Sequence, residues 1–244
     1  RSRSRAASVV QGVCGGPLTL VAPGAKVAHV ELGPSPHAHG STSIRIVRPR
    51  DARVLQHELL SNRAWLQPWE ATSPDGPVSF DMRSGIRRLL QQYRDGQGVP
   101  FVMESEGEVV GQLNVWGIAR GSLSSSTLGY WVSQKAAGRG VTPTSVALAT
   151  DVCFRELGLH RMEICIRPEN DASLRVVQKL GFRYEGLRRK YIHIDGDWRD
   201  HYSFALVREE VPEGVLARWV NGRAPQDAAD VPPADRLPAP TSSE

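Results

Sequence analysis

The passage Tyr130-Trp131-Val132-Ser133-Gln134-Lys135-Ala136-Ala137-Gly138-Arg139-Gly140-Val141-Thr142-Pro143 limits this chain more than any other. Its first part reads as a strand, and the run from Pro143 to Leu157 reads as a helix. Two glycines stand where the strand gives way to the helix. Having no Cβ, Gly138 and Gly140 let the backbone aim several N–H groups at one point. Thr142 suits an N-cap and Pro143 the first helical position. The amides of residues 138–142 then add to the positive end of the helix and form an anion-binding mouth. Any tight strand-to-helix turn uses the same pair, so the surroundings decide its meaning. A P-loop is excluded because no Gly-Lys-Ser/Thr follows, and Pro143 stands where the dinucleotide fingerprint needs its third glycine.

Periodicity around this passage predicts alternating strands and helices. Ile44 and Ile46 alternate as a strand, and Asp51 caps a helix running to about Leu60. Ile86, Leu89, Leu90 and Tyr93 fall at helical spacing within 80–94. Phe101–Glu104 and Val109–Trp116 flank Glu106-Gly107 as a hairpin. Arg161–Arg167 reads as a strand and Ala172–Leu180 as a helix. Two further strands flank Asp195-Gly196, and Val211–Val220 reads as a last helix. Antiparallel strands come first and βαβ crossovers second. The fold class is therefore α/β, a mixed α+β arrangement with one sheet and helices on both faces. Residues 1–42 form a largely irregular extension with an edge strand expected at Lys26–Leu32. The folded domain spans 43–221. Residues 222–244, with Pro225, Pro232, Pro233, Pro238 and Pro240, read as a disordered tail.

Composition bounds the setting. Of 244 residues 40% are apolar and 23% charged, enough for an ordinary core without staples. Cys14, Cys153 and Cys165 are odd in number and lack metal-ligand spacing, which suits a reduced, cytoplasmic compartment and no metal. No apolar run reaches the length of a membrane helix. Arg1, Arg3 and Arg5 precede a weakly apolar stretch, but Gly15, Gly16 and Pro17 break it, against a signal peptide. The net charge of +4 permits RNA-rich surroundings, yet no nucleic-acid-binding motif is present.

Lys135-Ala136-Ala137-Gly138-Arg139-Gly140 resembles the (Gln/Arg)-x-x-Gly-x-(Gly/Ala) motif of GNAT acetyltransferases, with Lys135 as the departure. Arg167-Pro168-Glu169-Asn170-Asp171-Ala172-Ser173, Lys179-Leu180-Gly181-Phe182 and Trp198-Arg199-Asp200-His201 resemble the second half of the RimJ/RimL group. Trp65-Leu66-Gln67-Pro68-Trp69 resembles its N-terminal segment. The resemblance runs from about 44 to 210. It implies a GNAT fold, a mostly antiparallel sheet splayed at its centre, with acetyl-CoA as donor and the N-terminus of a ribosomal protein as acceptor. A homodimer is compatible with it. It further implies that Trp131, Val132 and Ser133 pair with the pantetheine arm as an added strand would. Gly138, Arg139, Gly140, Val141 and Thr142 hold the diphosphate, and Asn170 and Lys179 complete the cofactor contacts. Ser173, on the position of a serine that serves the departing thiolate, is the expected donor.

The chemistry needs a neutral amine, an oxyanion donor and help for the thiolate. A main-chain N–H of Val132 or Ser133 suits the oxyanion. The carboxylate that serves RimL-type enzymes as base falls on Ile192, which cannot take a proton. Glu104, Glu70, Tyr191 and His201 are the candidates left. Trp65, Pro68 and Trp69 are expected on the acceptor side with His201, and Asp200 is expected to be structural. Two other functions stay open: acetylation of a small amine, and acetyl-CoA binding without turnover.

Overall fold

The computed structural model describes residues 9–10, 32–33, 35–76 and 81–236. The strand expected at Lys26–Leu32 lies, Leu32 apart, outside the described residues. In chain order the strands are β1 (Val9–Val10), β2 (His37–His39), β3 (Thr42–Ile46), β4 (Gly98–Ser105), β5 (Glu108–Ala119), β6 (Ser125–Val132), β7 (Arg161–Ile166), β8 (Arg183–Ile194) and β9 (Asp197–Val207). They form one sheet in the order β2-β3-β4-β5-β6-β7-β9-β8, with β1 paired to β6. All neighbours are antiparallel except β6 and β7. Residues His37–His39, within the extension, form the edge strand β2.

Helices α1 (Ala52–Ser61), α2 (Arg63–Leu66) and α3 (Met82–Arg94) cover one face. Helices α4 (Val141–Arg155), α5 (Asp171–Leu180) and α6 (Val215–Val220) cover the other. Strand alternation sends successive side chains into separate cores. Leu128, Tyr130 and Val132 of β6 enter the larger core under α4 and α5. Trp131 enters the smaller one with Leu55, Leu66, Ile86 and Val102. Helix α4 is buried on nearly every side from Val141 to Phe154, as a helix wedged between a sheet and another helix must be.

Three local expectations are corrected. Asp51 precedes α1, but its carboxylate makes no cap bond to that helix. It accepts from Arg45 Nη1 and from the Arg48 N–H, each at 2.7 Å, because two donors already converge on it. Gly140, not Thr142, is the N-cap of α4. Thr142 and Pro143 therefore occupy its second and third positions, where helical N–H groups have no partner and proline costs nothing. The tail is ordered to Arg236: the Tyr184 N–H donates to the Ala228 carbonyl at 2.8 Å. The Tyr184 hydroxyl donates to Asp235 Oδ2 at 2.9 Å and the Tyr202 hydroxyl to the Asp235 carbonyl at 3.1 Å. Ala229 and Val231 pack on the main core. Proline-rich composition excludes a long helix or strand there but permits a 3-10 turn at Pro233–Asp235 and an extended chain pinned by side chains.

Candidate active site

Strands β6 and β7 pair only at Ser125–Arg161, Ser126–Met162 and Thr127–Glu163. Past these residues the two parallel edges part and open a cleft at the middle of the sheet. On its other side β6 is bonded to β5, and the Ser133 N–H donates to the Val110 carbonyl at 2.8 Å. That N–H is spent, which removes Ser133 as an oxyanion donor. Antiparallel bonding alternates from one residue to the next, so the amide of Val132 faces the cleft instead. The Trp65 indole N–H caps the Val132 carbonyl at 3.2 Å. Strand β1 lies along the same edge, Val9 opposite Trp131 and Val10 opposite Tyr130. The edge therefore accepts an extended partner.

The turn into α4 has the form the glycines imply. Gly138 has φ +77 and Gly140 φ +84, and a Cβ added at either would meet nothing within 4 Å. The glycines are required by backbone conformation, and the space above them is open. Val141 and Thr142 are buried, so they offer this space main-chain amides rather than side chains. The loop before them is tied down: Asn62 Oδ1 accepts from the Gln134 N–H at 2.8 Å, and Lys135 Nζ reaches Glu58 at 3.1 Å. Arg139 pairs with Glu106 at 2.7 Å on the exposed rim. Lys179 Nζ lies 5.4 Å from the centre of the Trp219 ring. The Trp219 indole donates to Thr144 Oγ1 at 3.0 Å in the first turn of α4.

At the inner end of the cleft Asn170 caps α5, its Oδ1 accepting from the Ser173 N–H at 3.1 Å. The hydroxyls of Ser173, Ser133 and Tyr130 are buried with no hydrogen-bond partner. Ser173 faces the Tyr130 phenol, whose titration burial pushes far up, so it stays protonated. Orphan buried hydroxyls are uncommon and call for a partner from outside the chain. Together with the open anion mouth and the cleft-facing edge of β6, they fit a long diphosphate-bearing thioester. In the sequence Tyr130 is legible only as a strand residue, its alternation with Trp131 being the one available signal.

The residues expected on the acceptor side are tied to one another. Arg167 Nη1 donates to the Pro68 carbonyl at 2.7 Å, and its guanidinium lies 5.5 Å from the Trp69 ring centre. Just beyond, Ala71 bridges to Ile194, and the Thr72 N–H donates to the His193 carbonyl at 2.9 Å. Residues 68–72 therefore form a strap from α2 to the β8–β9 hairpin. In β8 the register slips between Arg188 and Ile192. Lys190 takes φ +47 there, and its N–H donates to Asp200 Oδ1 at 2.7 Å. Asp200 is structural, as expected: it holds the bulge that turns Tyr191 onto Arg188. Arg188 Nη1 donates to the Tyr191 hydroxyl at 3.0 Å, and Tyr191 meets His201 edge-on at 5.8 Å between centroids.

None of the candidate bases is free. Glu104 accepts from Arg45 Nε at 2.7 Å and from Ser43 Oγ at 2.9 Å, on β4, two strands from the cleft. Glu70 is ion-paired with Arg63. His201 is 3% exposed, and burial pushes its pKa down to about 4. Tyr191 is raised by burial. Ile192 is buried. Among the described residues no cluster of His, Cys, Asp and Glu could hold a metal ion, and no helix is long and apolar enough to cross a membrane.

Residues 42–183 match the family described as an acetyltransferase (GNAT) domain. The chain is a GNAT acetyltransferase. The [ribosomal protein uS5]-alanine N-acetyltransferase of Escherichia coli (strain K12) is 31% identical over 185 residues, 74% of this chain and 90% of that one. A solved structure of Mycobacterium smegmatis RimJ in complex with CoA-disulfide superposes with a TM-score of 0.69 at 36% identity, covering 74% of this chain and 88% of the other. Spermidine N(1)-acetyltransferase of Escherichia coli (strain K12) is 25% identical over 72% of this chain and 90% of its own length. This GNAT acetyltransferase transfers an acetyl group to an amine with acetyl-CoA as co-substrate.

Proposed function

We propose that the enzyme acetylates the N-terminal α-amine of a ribosomal protein. The observation that carries this reading is that every candidate base is engaged, buried or too acidic. A free α-amine titrates near 7.7–8.0, so roughly a tenth is already neutral at pH 7. A lysine side chain would need about 3 kcal/mol more to lose its proton. A cleft without a strong base suits the first amine. The names of the relatives at 31% and 36% identity, which act on uS5 or are RimJ, support the same acceptor.

In this proposal the main-chain amides of Gly138, Arg139, Gly140, Val141 and Thr142 grip the diphosphate, with Lys179 near the same end. The cleft-facing main chain at Val132 holds the pantetheine arm in place of β1, while the main chain of Trp131 faces Gln112 of β5, and Asn170 adds a polar contact. The Val132 N–H stabilises the oxyanion. The new C–N bond forms as the C–S bond breaks with its electron pair on sulfur, and the hydroxyl of Ser173 donates to that sulfur. The amine's proton goes to water. Trp65, Trp69 and His201 shape the acceptor path, and Tyr191 is a polar contact there rather than a base. A thiol-release assay against short peptides and polyamines tests this. Release with Ala- or Ser-starting peptides is expected. Release with polyamines alone overturns the acceptor, and tight coenzyme A binding with no release to any amine would mark a binding protein.

A further inference from the structure

We infer that Tyr130 is a positioning residue that orients the Ser173 hydroxyl toward the departing thiolate. The inference rests on the role proposed for Ser173. A serine in the first turn of a helix ordinarily turns its hydroxyl back to a main-chain carbonyl. Ser173 does not: its N–H is satisfied by Asn170, and its Oγ is buried without a partner. Tyr130 Oη is also buried and without a partner. The two hydroxyls face each other across the interface of β6 and α5. Each such group costs about 1–3 kcal/mol when left unbonded, so two of them together, at the end of the cleft, form a polar couple inside an apolar core.

The direction of the couple follows from acidity. A phenol is a stronger donor than an aliphatic hydroxyl, and this one stays neutral because it is buried. When the pair closes, the Tyr130 O–H donates to Ser173 Oγ. That occupies a lone pair of the serine oxygen and leaves the serine's own proton to point the other way, to the sulfur in the cleft. No bond within the pair is made or broken. Its effect is to strengthen and aim one hydrogen bond at the atom that becomes charged, which stabilises the transition state more than the ground state.

The test is a double-mutant cycle on the full chain with Tyr130→Phe and Ser173→Ala, reading kcat, KM for acetyl-CoA and calorimetric affinity for coenzyme A. Tyr130→Phe keeps the ring and removes only an unbonded hydroxyl, so thermal stability should hold or rise. We expect Tyr130→Phe to lower kcat about tenfold with cofactor affinity within about twofold, the pattern of an interaction made in the transition state. In the Ser173→Ala background it should lower kcat no further. Equal losses in both backgrounds, or wild-type kcat for Tyr130→Phe beside a slow Ser173→Ala, would overturn the inference. A wild-type kcat for Ser173→Ala would instead remove the serine's proposed role, on which the inference stands.

Discussion

Gly138 shows how one atom's absence matters. Its φ of +77 costs an L-residue about 1–2 kcal/mol, and a valine there would also fill the open mouth above the amides. Gly138→Val should therefore weaken coenzyme A binding by about tenfold or more, measurable by calorimetry; unchanged affinity would refute the anion site. His201 makes a second prediction. Its pKa falls from 6.5 to about 4 on burial, so between those values the unfolded chain binds more protons than the folded one. Its contribution is fully present above 6.5 and is lost as pH falls toward 4. The loss approaches about 3 kcal/mol from the size of the shift. Urea titrations across that window should show the decline, and His201→Gln should flatten it.

At the scale of elements, the strap of residues 68–72 and the bulge of β8 frame the acceptor path proposed above. Arg167→Ala removes both the bond to Pro68 and the stacking on Trp69. It should raise KM for a peptide acceptor severalfold while leaving the affinity for coenzyme A unchanged. Equal loss for both ligands would assign Arg167 to general stability. Periodicity placed α3, α4, α5 and the β4–β5 and β8–β9 hairpins within a few residues, because apolar spacing is a local signal. The cap of α4 was misplaced: Thr142 has the right chemistry, but Gly140 already takes the bend. The tail was misjudged because its anchors, Tyr184 and Tyr202, lie far away in sequence. For the same reason the sequence does not show that Arg45 occupies the Glu104 carboxylate or that the Tyr130 hydroxyl lies beside Ser173.

For the whole molecule, a reaction without a protein base has a simple signature. kcat/KM for a peptide acceptor should climb with pH along the titration of the free amine, reach half its limit at about pH 8 and level off about one unit above that. A second rising step at or below neutrality would reveal a proton acceptor in the protein. The parting of β6 from β7 has its own consequence. Three residue pairs stitch the two halves of the sheet together, and beyond them β6 bonds to the short β1 rather than to β7. A donor molecule lying there takes the place of β1 along β6, so the loaded enzyme should hold that edge more firmly than the two residues of β1 do. Amide hydrogen exchange at Val132 and Ile164 should slow together on loading, and each product departure should restore the slack that admits the next acyl group.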